Sequence, residues 1–373
     1  MANRKEIIRP KRLQKLLRKL IDIYSPSGKE EQVLAFLQNY LKKHGLPVQR
    51  QDLDGSRYNL LVMPAREMDV QLVFIGHVDT VMAYDLENYG YKEDGNLIMG
   101  LGSADMKGGC AAMVEAFVAF RENDLSPVPA ALALVVGEEE EGDGTNRLIE
   151  EYHFPWAIIG EPTNMRPCLS HYSYLEIQIR TYGKRIHASL ANRKQNAIEV
   201  MLHSVLQLSQ YLDSKRPEVV YNIRDLFSSR TGFAVPDRSE AWLDLHLPPS
   251  SPLGEIATDL EEVFNRSWQE NPLVNGNFRI TTIDAGYELP AKGPIIRTLR
   301  NVYTRRGIPW EIEVFRSHSD ANQLWAAGTK PILLGAGRLE NAHIPEESVS
   351  FRKVCLAASI YSDILIELAS KGV

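Results

Sequence analysis

The spacing of apolar positions divides the chain into alternating helices and strands. From Lys11 to His44 apolar residues recur at helical intervals, and Ser25-Pro26-Ser27-Gly28 breaks that run into two helices. Ser27, followed by Glu30 and Glu31, reads as the start of the second helix, with acidic residues in its first turn. Asn59–Met63 and the apolar run Val70–Gly76 read as strands, the second of them buried. Gly108–Phe120 predicts a helix, Ala130–Val136 a buried strand, Thr145–Tyr152 a helix and Trp156–Gly160 a further strand. Alternation of this kind predicts an α/β domain with helices on both faces of a sheet.

The pattern changes after Pro167. Tyr174–Tyr182 alternates apolar and polar residues, as a half-exposed strand does. Asn196–Leu212 follows as a helix, Phe233–Val235 and Glu240–Leu247 as strands, Ile256–Asn271 as a helix and Phe278–Ala285 as a last strand. This β-α-β-β-α-β order is the ferredoxin-like split motif. Beyond Pro290 the α/β pattern resumes with a helix through Tyr303, strands near Glu311–Phe315 and over Lys330–Leu334, and a terminal helix Lys353–Ser370. The expected organisation is a discontinuous domain of residues 1–172 and 288–373 around an inserted domain of residues 173–287.

Composition adds bounds. The chain has 373 residues, 44% of them hydrophobic, enough for a sizeable core. Its formal charge of −6 offers no general attraction for nucleic acid or anionic membranes, so neither is expected as a partner. The three cysteines, Cys110, Cys168 and Cys355, form no CxxC pair, and three buried thiols in a reducing compartment are expected. The basic N-terminus has no apolar h-region, and no stretch reaches the roughly 20 apolar residues that span a bilayer; a cytoplasmic protein is expected.

The candidate chemistry sits where strands end, the usual ligand position in open α/β sheets. His77 closes the run Val73–Gly76, and Asp79 two residues on can fix the imidazole tautomer. Gly100–Gly109 crowds glycines around Asp105 at the mouth of a helix; a helix cap is the plain alternative, and the spacing matches no phosphate-binding loop. Glu138–Glu141 follows a buried strand directly, and carboxylates buried there need protons or cations. Glu161 ends another strand, and His343 lies beyond Pro331–Leu334 and a glycine turn. Mixed nitrogen and oxygen ligands suit zinc, with cobalt or manganese as alternatives.

Taken in order, Gly76-His77-Val78-Asp79-Thr80, Ser103–Gly109, the glutamate pair, Gly160–Thr163 and Ala342–Glu347 resemble a known family. It is the co-catalytic zinc family of acetylornithine deacetylase, succinyl-diaminopimelate desuccinylase, aminoacylase and glutamate carboxypeptidase. The resemblance implies a zinc-peptidase-like catalytic domain and an inserted lid that also makes a homodimer. It implies two metal ions: His77 and Glu161 on the first, Glu139 and His343 on the second, and Asp105, followed by a cis peptide, bridging both. Asp79 would orient His77, Glu138 would be the general base, and His187 would reach across the dimer to polarise the substrate carbonyl. Because four glutamates run together, a frame with Glu139 as base and Glu140 as ligand stays open. Gly137 stands where the family usually has Asp. Ser317-His318-Ser319-Asp320 and Asp244-Leu245-His246 also depart from the family pattern, and His318 and Asp320 are expected to face substrate.

The expected activity is hydrolysis of an amide bond in an N-acyl amino acid or small peptide. Metal-activated water would attack, with a carboxylate passing its proton to the leaving amine. A dipeptidase or carboxypeptidase on the same machinery is the alternative, and a silent metal-binding scaffold lies further off.

Overall fold

The computed structural model of the chain describes residues 7–64, 68–123, 125, 127–191, 195–230, 232–269 and 273–371. The chain divides into two compact units: Met1–Ser170 with Leu289–Phe315 and Ser319–Val373, and His171–Glu288 with Arg316–His318.

In the first unit, strands run in the order Val48–Asp52, Tyr58–Val62, Ala130–Val135, Leu72–His77, Trp156–Ile159, Lys330–Leu333 and Cys168–His171. The four from Ala130–Val135 to Lys330–Leu333 are parallel, and antiparallel neighbours flank them. This is the mixed sheet of an α/β domain. Every residue of Leu72–His77, Ala130–Val135 and Trp156–Ile159 is buried, which requires cover on both faces. Helices Pro10–Asp22, Gly108–Glu122 and Phe351–Lys371 pack on one another, and Asp143–Glu151 packs on Ala321–Ala326. Phe74 lies at the centre, its ring edge-on to Phe117 at 5.6 Å and to Tyr361 at 5.5 Å. A small antiparallel sheet of Lys92–Asp94, Leu97–Met99 and Ser348–Ser350 was not evident in the apolar pattern, because strands of three residues carry too little periodicity.

In the second unit, four antiparallel strands run in the order Val220–Ser228, Arg238–Leu247, Ser173–Tyr182 and Asn275–Asp284. Helices Ala197–Lys215 and Leu253–Gln269 pack together and on that sheet, burying Leu175, Ile177, Ile179, Leu208, Leu243 and Phe264. One strand differs from expectation. Phe233–Val235 makes only an isolated bridge through Ala234 to His187, and the edge strand is Val220–Ser228. Arg224 and Asp225 interrupt that segment's apolar residues, and none of its residues is buried, so no buried face imposes clean alternation. The helix expected to end at Asn271 is described only to Gln269; Asn271 lies outside the described residues.

Two smaller expectations also shift. The helix after Gly28 begins at Glu31, and Ser27 does not cap it. Cys110 and Cys168 are buried free thiols, but Cys355 is half-buried, because helix Phe351–Lys371 turns that position partly towards solvent. Among the described residues no helix is long and apolar enough to cross a membrane.

Phe74 is fully buried, so Phe74→Ala leaves a cavity between the sheet and the rings of Phe117 and Tyr361. The expected loss is about 3–5 kcal/mol of unfolding free energy, read from denaturant midpoints at unchanged slope.

Candidate metal centre

Adjacent parallel strands lie about 4.8 Å apart, so loops leaving the same end of neighbouring strands are forced close together. His77 is the last residue of its strand, Glu138 and Glu139 leave the end of Ala130–Val135, and Glu161 follows Trp156–Ile159 after Gly160. His343 follows Lys330–Leu333 after a short turn, Leu339–Asn341. Asp105 arrives from the loop before helix Gly108–Glu122, with a cis peptide between Asp105 and Met106. It does not cap that helix, which starts at Gly108. Glycine is required where this helix meets the strand ends: a Cβ on Gly109 would sit 2.3 Å from the carbonyl oxygen of Gly160.

The side chains converge in three overlapping groups. His77, Asp105 and Glu161 form one, Asp105, Glu139 and His343 another, and His77, Glu138 and Glu139 link the two, with ligand atoms in each group within 4.8 Å of one another. His77 Nε2 is 3.2 Å from Asp105 Oδ1, 3.7 Å from Glu138 Oε2 and 3.9 Å from Glu161 Oε1. His343 Nε2 is 2.9 Å from Glu139 Oε2 and 3.6 Å from Asp105 Oδ2. Asp79 is fully buried behind His77, whose Nδ1 is 3.2 Å from the Asp79 carbonyl oxygen and 3.6 Å from Oδ1. The other carboxylate oxygen of Asp79 accepts from Ser27 Oγ at 2.7 Å and from the amide of Glu139 at 3.1 Å. Glu140 is exposed and belongs to none of these groups.

The electrostatics suit cations. Burial pushes the Glu138 and Glu161 carboxyls well above their ordinary range, and neighbouring acids add to this, Asp320 among them. Burial also raises Glu139. His77 is raised well above its usual value: burial opposes its charge, but Glu138, Asp105 and Asp79 outweigh that. His343 is held up at about 9, with burial opposing and Glu139 and Asp105 prevailing. Such a cluster is stable only with protons or cations between its oxygens. Glu161 Oε1 is buried with no hydrogen-bond partner among the described residues, as a ligand atom would be. The donor set of imidazole nitrogens and carboxylate oxygens therefore fits divalent metal.

Three residues were not singled out for this role from sequence. Glu347 is 2% exposed, and its carboxylate accepts the backbone N–H groups of Gly102, Ala104 and Asp105 at 2.8, 2.8 and 3.0 Å. Its position four residues after His343 was the available signal. Ser27 holds Asp79, and the buried ammonium of Lys107 donates to the carbonyl of Ile23 at 2.9 Å.

The sequence pattern of peptidase family M20/M25/M40 matches residues 73–367, a span that contains all six converging residues. The chain belongs to that family. It is accordingly an enzyme, a metal-dependent hydrolase that uses divalent ions. Acetylornithine deacetylase of Edwardsiella ictaluri is 28% identical over 346 residues, covering 86% of each chain. A tripeptidase from Staphylococcus aureus superposes with a TM-score of 0.81 at 19% identity, over 98% of this chain and all of that one. A dinuclear metal-binding peptidase of the same family from Bacillus subtilis superposes at 0.68 with 11% identity, over 97% of this chain and 98% of that one.

The remaining candidates lie elsewhere. Asp320 is buried in the first unit. In the second, His318 Nε2 is 3.0 Å from Asp284 Oδ2, and its ring lies 5.0 Å from that of Tyr174. The ring of His246 is 5.3 Å from the same tyrosine. His187 is exposed, with Nδ1 2.8 Å from Ser189 Oγ.

Glu347→Ala leaves three buried N–H groups without an acceptor beside Asp105. Metal affinity, titrated calorimetrically into the stripped protein, is expected to fall by about 10–100-fold, while the far-UV spectrum stays that of the parent.

Proposed function

We propose that this protein cleaves the amide bond of an N-acyl amino acid or short peptide at a two-metal centre. His77, Asp105 and Glu161 hold one ion, and Asp105, Glu139 and His343 the other. The observation that carries this reading is the sharing of Asp105 between two ligand groups, with Glu138 3.7 Å from His77. Zinc suits these donors best, with cobalt and manganese as alternatives.

Bound divalent ions supply Lewis acidity and lower the pKa of water. The chain's own residues do the rest. Asp79, fixed by Ser27, orients His77 and ties down the backbone of Glu139. Glu138 takes the proton of the attacking water and returns it to the leaving nitrogen. The frame with Glu139 as base is disfavoured, since Glu139 pairs with His343 and Glu140 faces solvent. Asp320, buried in the same unit as the metal centre, faces the substrate.

The deacetylase likeness supports an N-acyl amino acid, and the tripeptidase fold supports a short peptide. A homodimer through the second unit is supported by apolar side chains left exposed there. Leu202 and Leu206 project from helix Ala197–Lys215, and Val220, Leu226 and Phe227 from the edge strand. The three free thiols support a reducing, cytoplasmic setting.

Purified protein is expected to carry about two zinc equivalents per chain by elemental analysis and to release amine from N-acetyl amino acids or dipeptides. Glu138→Gln should keep that metal and lower kcat by about 10²–10⁴-fold; full activity in this variant would remove Glu138 as base. Changing both Leu206 and Phe227 to Glu should convert the dimer to monomer in light scattering, and a wild type that is already monomeric would refute the dimer.

A further inference from the structure

The turn that carries Glu138 and Glu139 is built on glycine. Gly137 and Gly142 both have positive φ, +72° and +65°. Two backbone bonds close its base, Gly142 N–H to Gly137 O at 2.7 Å and Gly144 N–H to Val136 O at 2.9 Å. Four consecutive glutamates fill the turn, so its own side chains repel one another, and positive backbone angles leave it few local restraints.

A guanidinium from the turn before another strand lies against this base. Arg57, just before strand Tyr58–Val62, donates from Nη1 to Asp143 Oδ2 at 2.6 Å, and its Nη2 is 3.4 Å from Glu30 Oε1. Asp143 is the first residue after the turn, and Glu30 lies three residues beyond Ser27, which holds Asp79. The side chain of Glu30 is fully buried, and that of Arg57 is 19% exposed. A Cβ built on Gly137 would sit 2.5 Å from Arg57 Nη2 and 3.3 Å from Asp143 Oδ2. Arg57 thus occupies the space that any side chain at 137 would need, and it bridges the turn to the segment behind the metal centre.

We infer that Arg57 is a positioning residue, which sets the Gly137–Gly142 turn so that Glu138 and Glu139 reach the metal centre, in place of a side chain at position 137. The inference rests on the hydrolase reading for its kinetic consequence, but its structural content does not. Removing the guanidinium leaves Glu30 buried without its cation and frees Asp143, so the turn loosens at its base. Misplacing a base or ligand by about 1 Å costs on the order of 100-fold in turnover.

The test uses the full chain with Arg57→Met, Arg57→Lys and Asp143→Asn. In NMR-detected hydrogen exchange, the amides of Glu139 and Gly142 should exchange at least about tenfold faster in Arg57→Met than in wild type, with Leu72–His77 amides unchanged. On the wild type's best amide substrate, kcat should fall about 10–100-fold with KM within about threefold, and zinc affinity should weaken in parallel. Arg57→Lys should recover part of each effect, and Asp143→Asn should add little to Arg57→Met in the double variant. Arg57→Met protein that matches wild type in turn exchange overturns the inference. If Arg57→Met fails to fold, Asp143→Asn decides alone: unchanged exchange at Glu139 and Gly142 overturns the inference, and acceleration confined to the turn supports it. A wild type that hydrolyses no amide removes the proposed function, while the exchange comparison still decides the role of Arg57.

Discussion

Crowded negative charge is the constraint on which the rest of this structure depends. Asp79, Asp105, Glu138, Glu139 and Glu161 are drawn together around two imidazoles at the end of fully buried strands. Carboxylates in such surroundings cannot all ionise without cations among them. Much of the local architecture serves to hold them in place against that repulsion. Helix Gly108–Glu122 is brought against the strand ends by glycines at the contact, the Asp105 loop is clamped by Glu347, and the glutamate turn is braced from behind by Asp79 and Arg57.

The sheet supplies the convergence. Four adjacent parallel strands deliver His77, the glutamate pair, Glu161 and the His343 segment to the same end, so residues separated by hundreds of positions become neighbours. Parallel strands of this kind need cover on both faces, and the surrounding helices provide it with apolar stripes rather than with functional groups. The division of labour is clear in helix Gly108–Glu122. Its N-terminal end touches the metal centre, while midway along it Glu115, fully buried, pairs with Arg12 at 2.7 Å to fix the helix to Pro10–Asp22.

Much of this was legible in the sequence, for identifiable reasons. Long buried strands such as Leu72–His77 and Ala130–Val135 were readable because continuous apolar runs have one plausible fate, and the two helices flanking Ser25–Gly28 because proline and glycine punctuate them. The edge strand Val220–Ser228 was not, because seven of its nine residues are exposed and alternation is lost. The role of Glu347 is not legible in sequence, because its partners are backbone N–H groups, which leave no mark in a side-chain pattern. Ser27, a serine before acidic residues, has the composition of a helix cap, whereas its hydroxyl is used by Asp79, 52 positions away.

By itself the sequence determined the types of the long buried elements, the likeness to a metal-dependent hydrolase family and the identity of the acids and imidazoles placed at strand ends. These follow from local periodicity, turn chemistry and ordered motifs. Tertiary structure alone decided which glutamate of the run meets which histidine, because a one-residue shift within four identical side chains leaves no trace in composition. It also decided what fills the space beside Gly137. That space is taken by Arg57, 80 positions earlier, and only the pairing of strands from distant parts of the chain brings the two together.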